Sequence, residues 1–162
     1  MDIRFTLNDE IAYADVSPLT TLSAMLRETF GLLSVHENCK QGFCGQCIAL
    51  VNNHPVSSCL VPAFSIRGSV VETVEGLVSK PEFIDIEKGF LEAGLSPCPY
   101  CAGNKAVLAE GIVREHSDLL RETIIRCIPQ HWCSCSDTDS FVEAVFAAWN
   151  LRRKRSGHAP TR

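Results

Sequence analysis

Cysteine is the residue type with the most chemistry to offer in this chain, and its spacing is regular. Cys39, Cys44 and Cys47 follow the pattern C-x4-C-x2-C, and Cys59 comes after a short β-like segment. This is the thiolate spacing of a plant-type [2Fe–2S] site. Because two sulfide-bridged irons need four terminal thiolates, one loop can supply three and a neighbouring element the fourth. The pattern therefore predicts that these four cysteines hold a [2Fe–2S] cluster.

Two glycines inside this loop fit the same interpretation. Gly42 and Gly45 can adopt positive φ and let the backbone approach closely, so that N–H groups point at sulfur. We therefore count both as cofactor-binding positions. The alternatives are a zinc site or buried cysteines, but structural zinc sites usually pair one C-x2-C with another or with histidines. The spacing favours iron and sulfide over zinc.

A second group of four cysteines follows in the C-terminal half. Cys98 and Cys101 form C-x2-C, and Cys133 and Cys135 form C-x-C. Each pair stands just before a predicted helix, whose N-terminus stabilises anionic thiolates. Pro99 is tolerated in a first helical turn, where its missing N–H is not needed. Zinc is a serious rival for this group taken alone. Beside the first motif, we predict a second [2Fe–2S] cluster.

The elements that must position the first group form a small sheet with one helix. Period-two alternation predicts a hairpin over residues 3–13, and helical spacing predicts a helix capped by Thr20 or Thr21 and stopped by Gly31. Further strands are predicted over residues 48–51, 56–59 and 69–74, and the hairpin made by the first two returns Cys59 to the loop. The fold class is α+β, beginning with a β-grasp, plant-ferredoxin-like domain over residues 1–76.

The second group lies among predicted helices. After a linker at residues 77–81, Pro81 opens a helix that Gly94 stops, and a second helix ends near Gly111. A third covers 119–125, and a last is capped by Asp137 or Thr138. On the first helix, an apolar face is predicted for Phe83, Ile86, Phe90 and Leu91. We predict a small four-helix bundle [2Fe–2S] domain over residues 82–150 and a basic tail over 151–162.

Composition excludes several classes of function. The chain has 162 residues, 46% of them hydrophobic, which is enough for a packed core. The chain has a net charge of −4, and its one basic run, residues 152–155, is expected to be a solvated tail. No nucleic-acid partner is therefore predicted. No signal peptide or membrane-length apolar run is seen, so no membrane partner is expected. Nine cysteines without a signal peptide indicate metal ligands in a reducing compartment, and we expect a cytoplasmic protein. Cys127, left over, is expected to be a buried structural thiol.

Both motifs together, in this order, resemble one family. The segments that carry the resemblance are Leu26 to Leu32, Glu37 to Cys47 and Val70 to Gly76, besides the eight cysteines. From Ile3 to Trp149 the chain is similar to the small iron–sulfur subunit of the molybdenum hydroxylases. This group includes xanthine dehydrogenase, aldehyde oxidoreductase and aerobic carbon monoxide dehydrogenase.

The resemblance implies a non-catalytic electron-transfer subunit of an oxidoreductase complex. It would relay electrons from a molybdenum site through two [2Fe–2S] clusters towards FAD. The partners would be a large molybdopterin-binding subunit and a medium FAD-binding subunit. The N-terminal cluster would face the flavin and the C-terminal one the molybdopterin cofactor. This chain would hold no catalytic residue, and its histidines, among them His36, His54, His116 and His131, are expected to be surface or capping residues.

The C-terminal motif departs from the family pattern. Pro97 stands where the family usually has the Gln that contacts the pterin, Pro99 replaces a Gly, and Ser134 replaces an Arg. Loss of the Arg charge beside the thiolates predicts a lower reduction potential for that cluster. These departures also motivate an alternative, a free-standing or repurposed two-cluster redox protein without a molybdopterin partner. A structural zinc module is a third interpretation.

Overall fold

The computed structural model describes residues 1–157, which form a mixed α/β chain with a five-stranded sheet and six α-helices. The strands are β1 Asp2–Leu7, β2 Glu10–Asp15, β3 Ile48–Val51, β4 His54–Ser57 and β5 Val70–Glu72. The helices are α1 Leu22–Glu28, α2 Val74–Leu77, α3 Pro81–Glu92, α4 Ala102–Glu115, α5 Arg121–Cys127 and α6 Thr138–Arg155. Two short 3-10 turns, Ser58–Leu60 and Ala63–Ile66, lie between β4 and β5.

The sheet is built from two hairpins joined by a central strand. Its order is β2-β1-β5-β3-β4, and only the β1–β5 pairing is parallel. Both hairpin turns use asparagine or aspartate at positive φ, Asn8 and Asp9 in one and Asn52 and Asn53 in the other. Left-handed backbone at both central residues matches the right-handed twist of the strands. The predicted N-terminal hairpin and the 48–51 strand are therefore confirmed.

Strand β3 is buried on both faces. Ala49 packs in a core between the sheet and α1, whereas Ile48 and Leu50 belong to a second core with α3, α4 and α6. Helix α4 crosses β3 at Gly111, where an added Cβ would lie 2.9 Å from Leu50 Cδ2 and from Pro55. The prediction that a helix ends near Gly111 is wrong, because this glycine permits a close crossing rather than a stop.

The other helix boundaries follow local signals. Pro81 occupies the first turn of α3, and Gly94 follows its end at a φ of 65°. Asp137 caps α6, accepting a hydrogen bond of 2.8 Å from the Ser140 N–H. The predicted apolar face of α3 holds for Ile86, but Leu91 is 81% exposed.

Among residues 1–157, no helix combines the length and apolarity needed to cross a bilayer.

The basic run near the C-terminus continues α6 instead of forming tail. Arg152 is half-buried and bonds to Asp85 at 2.6 Å and to the fully buried Glu110 at 2.8 Å. The expectation of a solvated run therefore fails for Arg152, since its guanidinium neutralises buried carboxylates of α3 and α4. Residues 158–162 of the predicted tail lie outside the described residues.

An ion-pair network continues from Glu110 to the sheet. Arg114 bonds to Glu110 and to Glu72 of β5, and Glu72 also pairs with Lys80. Burial by itself would raise the pKa of Glu72, but the hydrogen bonds from Arg114 and Lys80 outweigh it and lower the pKa. The network ties the end of the central strand β5 to the helices through charge as well as packing.

Candidate metal centre

The first four cysteines lie around one end of β3 and β4. Cys39 and Cys44 are in the loop between α1 and β3, Cys47 directly precedes β3, and Cys59 lies in the 3-10 turn after β4. Ile48 pairs with Ser57 across the hairpin, and the Ser58 hydroxyl donates to the Cys47 carbonyl at 2.6 Å. This register returns Cys59 to the loop, as the sequence predicts, but the strand predicted over residues 56–59 is shifted to His54–Ser57 and Cys59 follows it in a 3-10 turn.

Within this group the Cys44 thiol influences the pKa of Cys39, and the Cys59 thiol influences the pKa of Cys47. The Gln41 N–H donates to Cys39 Sγ at 3.4 Å. That bond, outweighing burial and helped by N–H groups of Cys44 and Phe43, lowers the pKa of Cys39 to about 6. Burial, the largest influence on Cys47, raises its pKa to about 12. The main chain supplies the stabilisation of negative charge on this side.

Both glycines of the loop have positive φ, 77° at Gly42 and 64° at Gly45. A Cβ at Gly42 would lie 2.5 Å from Leu60 Cδ1, and one at Gly45 would lie 2.4 Å from Pro129 Cγ. Gly45 is therefore required by backbone conformation and by the Pro129 ring, whereas at Gly42 the exposed Leu60 side chain can move and positive φ is the constraint. Gly45 closes the N-terminal loop against the segment that leads to Cys133.

The second four cysteines form a compact group. The sulfur atoms of Cys98, Cys101, Cys133 and Cys135 all lie within 4.8 Å of one another, and in residues 1–157 the first four form no such group. Cys101 and Cys135 are 3.2 Å apart, and Cys98 and Cys133 are 3.9 Å apart. Cys101 is the N-cap of α4, and Cys135 lies two residues before Asp137, the N-cap of α6. The predicted placement at two helix starts is what the structure shows.

Burial and nearby hydrogen-bond donors shift the pKa values of the thiols in this group in opposite directions. Burial raises the pKa of Cys101. At Cys135 burial acts in the same direction, but the Cys98 N–H, which donates to its sulfur at 3.4 Å, neighbouring thiols and the charge of Lys105 lower the pKa to about 6.

Sequence reasoning missed Lys105. It is 1% exposed, its Nζ lies 3.6 Å from Cys135 Sγ, and it donates to the Ser136 hydroxyl. It also lies 5.1 Å from the centre of the Trp132 ring. The signal in the sequence was a lysine four residues after Cys101 in an otherwise apolar helical run, which places both on one helix face.

The two cysteine groups are joined by direct contacts. His36 stacks on Tyr100 with ring centroids 4.0 Å apart, and the Tyr100 hydroxyl donates to Asn38 at 2.7 Å. The His131 N–H donates to the Phe43 carbonyl at 3.0 Å. His36 and His131, expected to be surface or capping residues, thus lie at the junction of the two groups. Nothing in the linear sequence indicates this pairing.

The donor sets fit an iron–sulfur cofactor chemically. Each consists of four thiol sulfurs, with backbone N–H donors aimed at sulfur in both groups. A four-thiolate zinc ion has the same donor set. Cys127 belongs to neither group; it is half-buried against the helical core, and burial raises its pKa, as expected for a structural thiol.

Sequence comparison finds relatives of this chain among the subunits of dehydrogenases. No family model matches the chain. The small FeS subunit of nicotinate dehydrogenase from Eubacterium barkeri is 32% identical over 134 residues, covering 83% of this chain and 85% of that protein. The beta subunit of the 6-hydroxypseudooxynicotine dehydrogenase complex from Paenarthrobacter nicotinovorans is 28% identical over 139 residues, covering 85% of this chain and 87% of that protein.

Solved structures give the same result. A chain of quinoline 2-oxidoreductase from Pseudomonas putida 86 superposes with a TM-score of 0.81 at 27% identity, covering 98% of both chains. Aldehyde oxidoreductase from Desulfovibrio gigas shares the fold, with a TM-score of 0.82 at 23% identity over 96% of this chain and 17% of that one. The chain belongs to the family of small iron–sulfur subunits of the molybdenum hydroxylases.

Proposed function

We propose that this chain is the electron-transfer subunit of a multi-subunit molybdenum hydroxylase, carrying electrons from a molybdenum site towards FAD. The observation that carries the proposal is that one chain holds two all-cysteine groups whose flanking residues contact each other, with four sulfurs within 4.8 Å in one of them. Family membership supports the subunit over the free-standing redox protein that the altered C-terminal motif suggested.

The proposal assigns the eight cysteines to two [2Fe–2S] clusters. Cys39, Cys44, Cys47 and Cys59 would hold one, and Cys98, Cys101, Cys133 and Cys135 the other. Once bound, such clusters supply reversible one-electron chemistry. The chain's own residues hold the thiolates: the N–H groups of Gln41 and Cys98 donate to sulfur, and Gly42 and Gly45 permit the tight N-terminal loop.

We further propose that the two sites belong to two structural units, a β-grasp unit at 1–76 and a helical unit at 82–150 with the linker between them. The presence of two hydrophobic cores supports this division. The shared strand β3 makes their interface extensive.

We place the protein in the cytoplasm, because nine free cysteines suit a reducing compartment.

The proposed partners are a large molybdopterin-binding subunit and a medium FAD-binding subunit. An apolar groove of about 370 Å³ beside Cys98 supports a partner surface on the helical side; its lining includes Phe83, Phe90, Leu91, Leu95 and Pro97. Exposed apolar surface of this kind marks protein contact sites. Pro97 lies where relatives of this type usually carry a pterin-contacting Gln, so we expect shape rather than that hydrogen bond to govern the contact.

The deciding experiment measures iron, zinc and acid-labile sulfide in the anaerobically purified chain, with EPR after dithionite reduction. About four iron and four sulfide per chain with two distinct reduced signals are expected. About two iron, with zinc at the C-terminal cysteines, would overturn the relay. Co-purification of molybdenum- and flavin-containing subunits tests the assembly separately.

A further inference from the structure

Lys105 is a buried cation at the C-terminal cysteine group. It is 1% exposed on α4, one helical turn after Cys101. Lysine is almost never fully buried without a partner. Here the partners of the ammonium are Cys135 Sγ at 3.6 Å, the Ser136 hydroxyl and the face of Trp132.

No acidic side chain balances this charge. Within residues 1–157, no carboxylate oxygen lies in ion-pair range of Lys105 Nζ. Asp137, which lines the same small cavity, accepts hydrogen bonds from Ser140, and Glu110 of α4 is committed to Arg114 and Arg152. A buried ammonium without a counter-charge is strongly destabilising. The sulfur of Cys135 is therefore the anionic partner that the fold provides.

We propose that the buried ammonium of Lys105 raises the reduction potential of the cluster held by the C-terminal cysteines. It supplies from α4 the positive charge that is missing at Ser134, between Cys133 and Cys135. This inference rests on the proposed function, because it requires a redox-active cluster at these thiolates.

The direction follows from charge. A one-electron reduction at this site adds one negative charge close to the ammonium. The ammonium itself is buried beside the exposed Cys135, so water screens it weakly, and a cation a few ångströms away stabilises the reduced form more than the oxidised form. Lys105 therefore opposes the lower potential that the loss of the family's Arg predicts.

The test is an EPR-monitored redox titration of the full chain in its complex, comparing wild type with Lys105→Met. At the wild-type midpoint of the C-terminal cluster, we expect the ratio of reduced to oxidised cluster to fall at least tenfold, a shift of about 59 mV for a one-electron couple. The N-terminal signal should keep its midpoint. Lys88→Met, which removes the same charge from an exposed position of α3, should shift neither.

Two further variants separate charge from packing. Lys105→Arg should titrate like wild type, and Ser134→Arg added to Lys105→Met should restore the midpoint. An unchanged midpoint in Lys105→Met would overturn the inference while leaving the relay intact. Absence of a second cluster from wild type, measured as iron and sulfide, would instead overturn the proposed function.

Loss of the cluster from Lys105→Met also has a defined meaning. Recovery of iron and of the EPR signal in the double variant with Ser134→Arg would support a charge role. If both the double variant and Lys105→Arg stay without that cluster, Lys105 serves packing alone and the inference is wrong.

Discussion

The two cysteine groups share main-chain donors to sulfur but differ in what is added to them. Around Cys39 the main chain acts through a loop in which Lys40, Gly42 and Gly45 have positive φ and N–H groups turn towards sulfur. Around Cys135 the Cys98 N–H donates to sulfur too, and a buried lysine and two helix starts add to it.

This difference has consequences for how each site can change. A main-chain site depends on backbone conformation, so side-chain substitutions outside its glycines and cysteines alter it little. A site balanced by one ammonium can be tuned by one substitution. The C-terminal group is therefore the adjustable member of the pair.

Removing one thiol should abolish electron transfer. Cys101→Ser replaces a fully buried sulfur of the compact group, and we expect turnover of the complex with an artificial acceptor to fall to background while the partner's molybdenum content stays unchanged. The matched control is Cys127→Ser, which lies outside both groups and should retain turnover and both EPR signals. Normal turnover of Cys101→Ser would contradict the relay.

The main-chain character of the N-terminal loop can be broken at Gly45. Gly45→Ala adds a Cβ 2.4 Å from Pro129 to a left-handed residue, so we expect about 2–4 kcal/mol of lost stability and loss of the N-terminal EPR signal. Gly94→Ala is the control for the effect of positive φ alone, because a Cβ at that left-handed position meets nothing within 4 Å. It should lower stability by about 1–2 kcal/mol and keep both signals. Equal effects of the two variants would show that the Pro129 contact is unimportant.

Acid should weaken the ion pairs that join the sheet to the helices and the helices to one another. The pKa of Glu72 is lowered as described above; at Asp85 burial opposes the shift, but Arg155 and Arg152 lower its pKa too. A carboxyl group with a lowered folded-state pKa stabilises the fold above its unfolded pKa, near 4, and that contribution is lost as pH falls through the folded value. The melting temperature should therefore drop steeply below about pH 4.

Asp85→Asn tests this assignment. At pH 7 it should lower the free energy of unfolding by about 1–3 kcal/mol, because the half-buried Arg152 loses a charged partner. It should also flatten the acid dependence of unfolding. Asp118→Asn removes an equal charge from an exposed position and should change neither. An unaltered acid slope in Asp85→Asn would exclude Asp85 from the acid response.

The smallest effect is expected at the junction of the two groups. Tyr100→Phe removes the hydroxyl that donates to Asn38 but keeps the stack on His36. We expect about 0.5–1 kcal/mol of lost stability and unchanged midpoints for both clusters. Tyr100→Ala also removes the stack and should cost about 0.5–1.5 kcal/mol more. A midpoint shift in Tyr100→Phe would show that the hydroxyl influences one of the sites electrostatically.

Much of this arrangement was predictable where the physical cause is local. The Asp137 cap and the Pro81 start depend on neighbouring residues, and the fold bears out the two helices they mark. Assignment of the cysteines as cluster ligands stays a prediction, as do the domain boundaries.

Features set by distant contacts were not predictable in the same way. Gly111 looked like a helix stop because its partner, Leu50, lies far away in the chain. Arg152 looked solvated because its acids lie on two other helices. Lys105 differs from these, since its spacing from Cys101 was visible but its burial was not.

Amide exchange in strand β3 should respond to changes at both cysteine groups. All four residues of the strand pair with β4, Leu50 and Val51 also pair with β5, and their side chains enter both cores. Their amide protons should exchange with solvent more slowly than those of any edge strand. Because Cys47 is joined directly to this strand and α4 rests on its other face, disturbance at either cysteine group should register in the exchange rates of the same few amides.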